Sequence, residues 1–148
     1  MRYSEAKQGR VFVMRLEDGD VLHEEIEALA RRESVRAAAL IAVGGANAES
    51  RLVVGPSDLD ERPIQPMEQV LNGVHEIAGT GTLFPDEDGN PLVHMHAACG
   101  RADHTVTGCV RRGVRVWQVM EVIVFELLDC RGVRRYEESL GFQLLDPQ

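Results

Sequence analysis

The sequence predicts an α+β fold in which a mostly antiparallel β-sheet carries one or two helices against one face. Two patterns lead to this fold class. From residue 67 onward, apolar and β-branched runs alternate with short turn segments, which is typical of consecutive antiparallel strands. One stretch after residue 20 instead repeats its apolar residues at helical spacing. No internal repeat or linker interrupts the 148 residues, so we expect a single domain over residues 1–148.

The N-terminal half is expected to contain the helix and three strands. Residues 10–16 are apolar and β-branched and form the first predicted strand. Asp20 is the predicted N-cap of a helix ending near Ser34, because the apolar residues between them share one helical face: Leu22, Ile26, Leu29 and Ala30. Strands are then predicted over residues 37–43, closed by two glycines, and over 51–54, before a proline-rich loop at 55–66.

The C-terminal half is expected to be β-structure throughout. Strands are predicted over residues 70–78, 92–99, 105–110, 114–128 and 141–145. Residues 86–90 have the composition of a hairpin turn, and residues 100–103 that of a second tight turn. The run 114–128 is the longest and most hydrophobic, so we expect it to be central in the sheet.

Charge and composition narrow the classes of function. The 24 acidic and 16 basic residues give a net charge of −8, which argues against tight non-specific binding to nucleic acid. No apolar run approaches the ~20 residues that span a bilayer, and the polar N-terminal segment lacks a signal-peptide core, so we expect a cytoplasmic protein without membrane contact. The three cysteines are too few for a secreted disulfide framework and are expected to be reduced.

Arginines occur in two clusters of three, Arg111, Arg112 and Arg115 and then Arg131, Arg134 and Arg135. Arginines at such positions commonly lie on strand edges, where their charge keeps a sheet from pairing with other chains. We therefore expect both clusters to be solvated. A local patch that meets an anionic ligand is the alternative.

The segment around His94 and His96 predicts a metal site. Alternate residues of a strand point to one face, so the two imidazoles project together from Cα atoms about 6–7 Å apart. If residues 100–103 form a four-residue loop, Cys99 pairs with His104 and His94 lies directly opposite Cys109. The predicted ligands are therefore His94, His96 and Cys109. A register slip of one residue would replace Cys109 by His104.

Two imidazoles and one thiolate suit a borderline-soft ion, of which zinc is the common example. Three protein ligands leave a fourth position for water or substrate, which is the arrangement of catalytic zinc rather than structural zinc. We expect one such ion per chain. Two histidines on a solvated sheet face, without any metal, are the alternative.

Several short motifs follow one another between about residues 9 and 145: Val74-His75-Glu76-Ile77, Gly79-Thr80, His94-Met95-His96, Thr107-Gly108-Cys109-Val110, Glu121-Val122-Ile123-Val124 and Gly141-Phe142. Their order and spacing resemble the plant-and-prokaryote-conserved (PPC) domain family. The resemblance implies an α+β fold around a largely antiparallel sheet, assembled as a homotrimer. It also implies a zinc site in which His94 and His96 match the family's His-x-His, while Cys109 stands where a histidine is usual.

Three further residues are candidates around this site. The resemblance matches an acidic position of the family to Glu76, which makes Glu76 a candidate general base and the one candidate catalytic residue. A salt bridge or a subunit contact is the alternative role for Glu76. Glu121 lies on an otherwise apolar strand, where burial would demand a partner. That partner is either a buried arginine or one of the metal ligands, so Glu121 is, together with Thr107, a candidate for hydrogen bonding to the metal ligands.

Three functions remain open at this point. The protein is a metal-dependent enzyme or binding protein for a small molecule, a DNA-associated protein like the plant members of the family, or a trimer that the metal merely stabilises. The fold of acetolactate decarboxylases resembles the family's and holds zinc with three histidines, which makes carbonyl chemistry conceivable by analogy of fold alone. Plant members bind DNA through a separate basic AT-hook, whereas this chain is acidic and contains no such segment.

Overall fold

One eight-stranded antiparallel sheet and one helix form most of the computed structural model, which describes residues 1–148. The elements are β1 (Lys7–Glu17), α1 (Leu22–Glu33), β2 (Ala38–Ala46), β3 (Arg51–Pro56), β4 (Pro66–Val70), β5 (His75–Pro85), β6 (Pro91–Arg101), β7 (His104–Cys109), β8 (Val116–Leu128), β9 (Val133–Glu137) and β10 (Phe142–Asp146). The large sheet has the order β1-β8-β2-β5-β6-β7-β3-β4, and β9 pairs with β10 in a separate hairpin. The α+β class with a mostly antiparallel sheet is therefore confirmed, with one helix.

The helix covers one face of the sheet with its apolar side. Its four predicted core residues are all buried: Leu22, Ile26, Leu29 and Ala30. The predicted cap is wrong, because the N-cap position is Val21 and makes no side-chain bond. Asp20 instead accepts the backbone N–H of Glu17 at 2.8 Å and so closes the turn after β1. Ser34 ends the helix in the left-handed conformation with φ of 56°, close to the predicted end.

Burial alternates along the central strands, as expected of a sheet with only one covered face. Met95, Ala97 and Cys99 on β6 point into the core together with Met120 and Val122 on β8. The opposite face has no covering helix, and we call it the open face. It carries Val11, Val13, Ile41, Val43 and Val119, each at least 43% exposed.

Several predicted boundaries differ from those of the structure. The predicted strand 70–78 is two strands, since β4 ends at Val70 and β5 begins at His75 after buried Leu71 turns the chain. Strand β2 continues through its two glycines to Ala46, because the ladder to β8 shifts register between Gly44 and Gly45 instead of ending. The predicted central position of run 114–128 is wrong: β8 is second from the edge of the sheet, between β1 and β2, and five further strands extend the sheet beyond β2.

Other features agree with the sequence analysis. The turn at 86–90 is confirmed, with the carboxylate of Asp86 accepting the backbone N–H of Asp88 and of Asn90. Strand β9 was not predicted, although its partner β10 falls within one residue of a predicted strand. No helix of the chain combines the length and the apolar character needed to cross a membrane.

Candidate metal centre

Strand β6 presents His94 and His96 on the open face, on either side of fully buried Met95. The burial of Met95 fixes the face of both histidines, because neighbours of a core residue on a strand must point the other way. The two imidazole rings lie edge to face with centroids 5.1 Å apart. The predicted pairing of these two side chains on one face is therefore present.

The third donor comes from β7, in a register that differs from the predicted one. Arg101 pairs with His104 across a two-residue turn in which Ala102 has φ of 54°, and His96, not His94, lies opposite Cys109. The predicted four-residue loop is wrong because residues 100 and 101 continue the ladder. The pairing is displaced by two residues, and a displacement of two keeps every side chain on its face. Cys109 therefore still faces the histidines.

The three donors form a compact cluster. Their ligand atoms all lie within 4.8 Å of one another, with both histidines exposed and Cys109 buried. Around a tetrahedral zinc ion with bonds of about 2.0–2.3 Å, the donor atoms would lie about 3.3–3.6 Å apart. Cys109 is a free thiol, so it is available as a thiolate ligand. Small side-chain rotations would bring the donor atoms from their present separations to these distances. The three residues therefore fit such an ion.

Strand β3 holds Cys109 in place from the other side. Val53 pairs with Cys109, and both residues are about 5% exposed. A Cβ added to Gly108 would lie 2.7 Å from the carbonyl oxygen of Val53, closer than real Cβ atoms approach. Residue 108 must therefore be glycine for β3 to approach β7 this closely.

Burial and nearby positive charges both favour the neutral form of the His94 imidazole. Partial burial lowers the pKa of His94, and the positive charges of Arg134, His96 and Arg111 lower it further. A neutral imidazole has the free lone pair that metal coordination requires. Cys99, by contrast, lies in the core, where burial raises the pKa of its thiol to about 11, so it is a packing residue as its strand parity predicts.

The alternative ligand and the other candidates lie elsewhere. His104 projects from the core side of the hairpin at its exposed tip, with Nε2 3.2 Å from a carboxylate oxygen of Asp103. Glu76 is on the open face but four residues along β5 from Thr80, the residue opposite His96, which is about 13 Å. Within one chain, neither residue reaches the cluster.

The two candidates for supporting hydrogen bonds differ in their distance from the cluster. Thr107 is exposed on the open face, two residues from Cys109 and opposite Ala98, so it neighbours the site. Glu121 is exposed and lies between Arg15 and Val43, on a strand three positions from β6 and hence about 14 Å away. The expectation that Glu121 needs a buried partner does not hold, because alternate residues of β8 face the open side.

Sequence reasoning missed the part that Arg134 plays near this cluster. Arg134 was expected to be a solvated member of an arginine cluster, but it is 5% exposed, and its Nη2 donates to Thr82 Oγ1 at 2.9 Å. Thr82 lies directly opposite His94 on the β5–β6 ladder. The clustering of arginines was a visible signal, but nothing local in the sequence distinguishes Arg134 from its exposed neighbours Arg131 and Arg135.

Solved structures share this architecture. A metal-containing protein from Archaeoglobus fulgidus is 25% identical in sequence and has a TM-score of 0.82. The match covers 97% of this chain and 98% of that protein. A plant- and prokaryote-conserved (PPC) protein from Pyrococcus horikoshii is 20% identical with a TM-score of 0.80, and the match covers 97% of each chain. Two further neighbours, from Bacteroides thetaiotaomicron and Ralstonia eutropha, have names that propose DNA binding but are only 14% and 22% identical.

One curated relative is a much longer protein. The Bifunctional protein GlmU of Synechococcus sp. (strain JA-3-3Ab) is 25% identical over 134 residues, which is 90% of this chain. The chain spans 20% of the length of that relative. The similarity therefore concerns one region of GlmU.

The match to a known family covers most of the chain. Residues 3–128 correspond to the Plants and Prokaryotes Conserved (PCC) domain. This range includes the eight strands of the large sheet, the helix and all three clustered donors, whereas β9 and β10 lie beyond it. The chain belongs to the Plants and Prokaryotes Conserved (PCC) domain family.

Proposed function

We propose that the protein binds one zinc or similar divalent ion per chain through His94, His96 and Cys109, and uses it to hold a small molecule. The observation that carries the proposal is the convergence of three donor atoms within 4.8 Å of one another on two adjacent strands. The 25% identical protein from Archaeoglobus fulgidus, which is called metal-containing, gives it independent support.

The arrangement leaves room for a ligand. Three protein donors occupy three of four tetrahedral positions, and both histidines are exposed at the surface of the open face. A bound ion would supply Lewis acidity to an oxygen atom placed at the fourth position. Thr80, Thr82 and Thr107 are polar side chains that flank the donors on the open face. Whether the small molecule is only bound or also converted, the same three residues hold the ion.

We further propose that three copies of the chain associate through the open face, as the family resemblance implies. Val13, Ile123 and Ile41 lie side by side across β1, β8 and β2, in the same row of the sheet as Thr80, His96 and Cys109. Val13 and Ile41 are 78% and 50% exposed in the isolated chain, and burial of such residues drives association. A reduced thiol ligand also suits a reducing compartment, in agreement with the expected cytoplasmic location.

Direct DNA binding has less physical support. The net charge of −8 opposes association with phosphates, and the neighbours with DNA-related names share too little sequence to transfer more than the fold. A salt-dependent gel shift tests it: binding at physiological ionic strength that weakens as salt rises would restore the alternative.

Metal analysis of protein purified without a nickel column tests the main proposal. We expect about one zinc-like ion per chain, abolished in His94→Ala and Cys109→Ala and retained in the matched control His104→Ala, whose imidazole lies at the hairpin tip. A stable wild-type protein that stays metal-free after incubation with zinc would refute metal binding. If His104→Ala alone loses the ion, the assigned ligand set is wrong.

A further inference from the structure

Arg134 is a buried cation without an anionic partner. Its side chain packs against β5 on the open face, with the guanidinium carbon 5.8 Å from the centre of the Phe84 ring and Nη2 donating to the neutral hydroxyl of Thr82. Its Nε is fully buried and has no hydrogen-bond partner. The residue as a whole is 5% exposed.

Two other arginines of the chain, unlike Arg134, have carboxylate partners. Arg135, the next residue, pairs with Glu87 and Asp146, and Arg10 pairs with the buried carboxylate of Glu126. Arg134 makes no such pair with any carboxylate, although it is the buried arginine of the chain. A buried ion costs free energy unless it is paired and hydrogen-bonded, so an unpaired buried guanidinium needs another explanation.

Arg134 stands next to the metal centre. Its hydrogen-bond partner Thr82 is directly opposite His94, and its charge lowers the pKa of the His94 imidazole. Arg111 acts on His94 in the same way and follows the end of β7 directly after Cys109 and Val110. The charged groups that act on His94 are all cationic, although the chain as a whole is acidic.

The charges of the loaded site would increase this local excess. Two neutral imidazoles, one thiolate and one divalent cation carry a net positive charge, to which the two arginines add. A planar guanidinium with free N–H donors matches the two oxygens of a carboxylate or phosphate in geometry as well as in charge. An oxyanion would supply the counter-charge that the protein lacks here.

We propose that Arg134 is an anion-binding residue of the metal centre, assisted by Arg111, and that the small molecule bound there carries a compact oxyanionic group. The group is the carboxylate of a small organic acid or the phosphate of a small ester. It lies on Arg134 while another oxygen of the same molecule reaches the open position of the ion. This inference rests on the proposed function for its second contact, but the contact with Arg134 requires only the protein.

Calorimetric titration of the protein with pyruvate and, separately, with inorganic phosphate tests the inference. Both zinc-loaded and metal-free proteins are titrated, with the variants Arg134→Gln and Arg134→Lys and the matched control Arg131→Gln, which removes an exposed arginine of the same cluster. We expect saturable binding of one of the two anions by the wild type. Affinity should fall about tenfold or more in Arg134→Gln, less in Arg134→Lys, and remain unchanged in Arg131→Gln.

The two anions and the two metal states separate the outcomes. Preference for pyruvate indicates an organic acid, and preference for phosphate indicates a phosphate ester. Metal-free wild-type protein that still binds an anion through Arg134 supports the anion subsite even if the metal proposal fails. Equal affinity in Arg134→Gln and wild type overturns the inference, and so does the absence of binding of both anions to wild-type protein. If Arg134→Gln does not fold, Arg134→Lys decides by the same comparison.

Discussion

His96 on β6 and Cys109 on β7 are directly opposed residues of one antiparallel ladder. Their relative position is therefore set by backbone hydrogen bonds and not by the conformation of a flexible loop. Gly108 and Val53 fix β7 from the far side, and buried Met95 fixes β6 from below. Donors held by rigid elements in this way need little rearrangement to bind an ion.

Replacement of Cys109 should distinguish a metal ligand from a buried packing residue. We expect Cys109→His to keep about one ion per chain, because imidazole is itself a zinc ligand. Cys109→Ser should lose the ion, because a neutral hydroxyl is a much weaker ligand than a thiolate. Metal analysis after dialysis measures both. The idea fails if Cys109→Ser binds metal as well as the wild type does.

The position of Met95 between the two histidines links the core to the site. Met95→Ala should lower the free energy of unfolding by about 2–5 kcal/mol and weaken metal binding, since the cavity allows β6 to shift. Met95→Leu, which nearly conserves volume, should cost less than about 1.5 kcal/mol. Urea denaturation and metal analysis measure the two effects. Thr105→Ala, at an exposed position of β7, is the control and should change stability by less than about 0.5 kcal/mol. Unchanged stability of Met95→Ala would contradict the core assignment.

The ion pair between Glu126 and Arg10 should make the stability of the protein depend on pH. Its buried carboxylate accepts hydrogen bonds from Nε and Nη2 of Arg10, both at 2.8 Å, and from the Arg10 backbone N–H at 3.0 Å. These bonds hold the pKa of Glu126 at about 2, below the ordinary value of 4.5. A carboxyl group whose pKa is depressed by folding stabilises the protein above its unfolded pKa. This contribution is lost as the pH falls from about 4.5 to about 2.

Glu126→Gln should therefore lower the thermal midpoint at pH 7, and its difference from the wild type should shrink at pH values below about 4.5. Thermal unfolding followed by circular dichroism at several pH values provides the measurement. Glu121→Gln is the matched control on the same strand, because its carboxylate is exposed and a small effect is expected. A difference between Glu126→Gln and wild type that does not depend on pH would count against the ion pair.

Charged substitutions on the open face should dissociate the proposed trimer. Ile41→Glu and Val13→Glu each place a carboxylate where an apolar contact is expected, which should weaken association about tenfold or more. Analytical ultracentrifugation should find a trimer for the wild type and a monomer for the variants. Leu59→Glu, at an exposed apolar residue of the loop between β3 and β4, should leave the trimer intact. A monomeric wild type would reject the proposed assembly.

Local sequence determined which side chains share a face. Alternation along β6 was enough to place His94 and His96 together with Met95 beneath them, because the side-chain period of a strand is fixed by its backbone. Turn composition located the hairpin at 86–90 for a similar reason, since Asp86 and Gly89 act on their own neighbours. These features depend on residues that are close in the chain.

Only the tertiary structure decided which strands lie side by side and in which register. The ladder from β6 to β7 continues to Arg101, so the residue opposite Cys109 is His96 and not the predicted His94. Packing placed Glu121 on the open face and brought Arg134 to Thr82, 52 residues away along the chain. Such contacts depend on how whole elements bury their apolar faces together, so no short segment of the sequence specifies them.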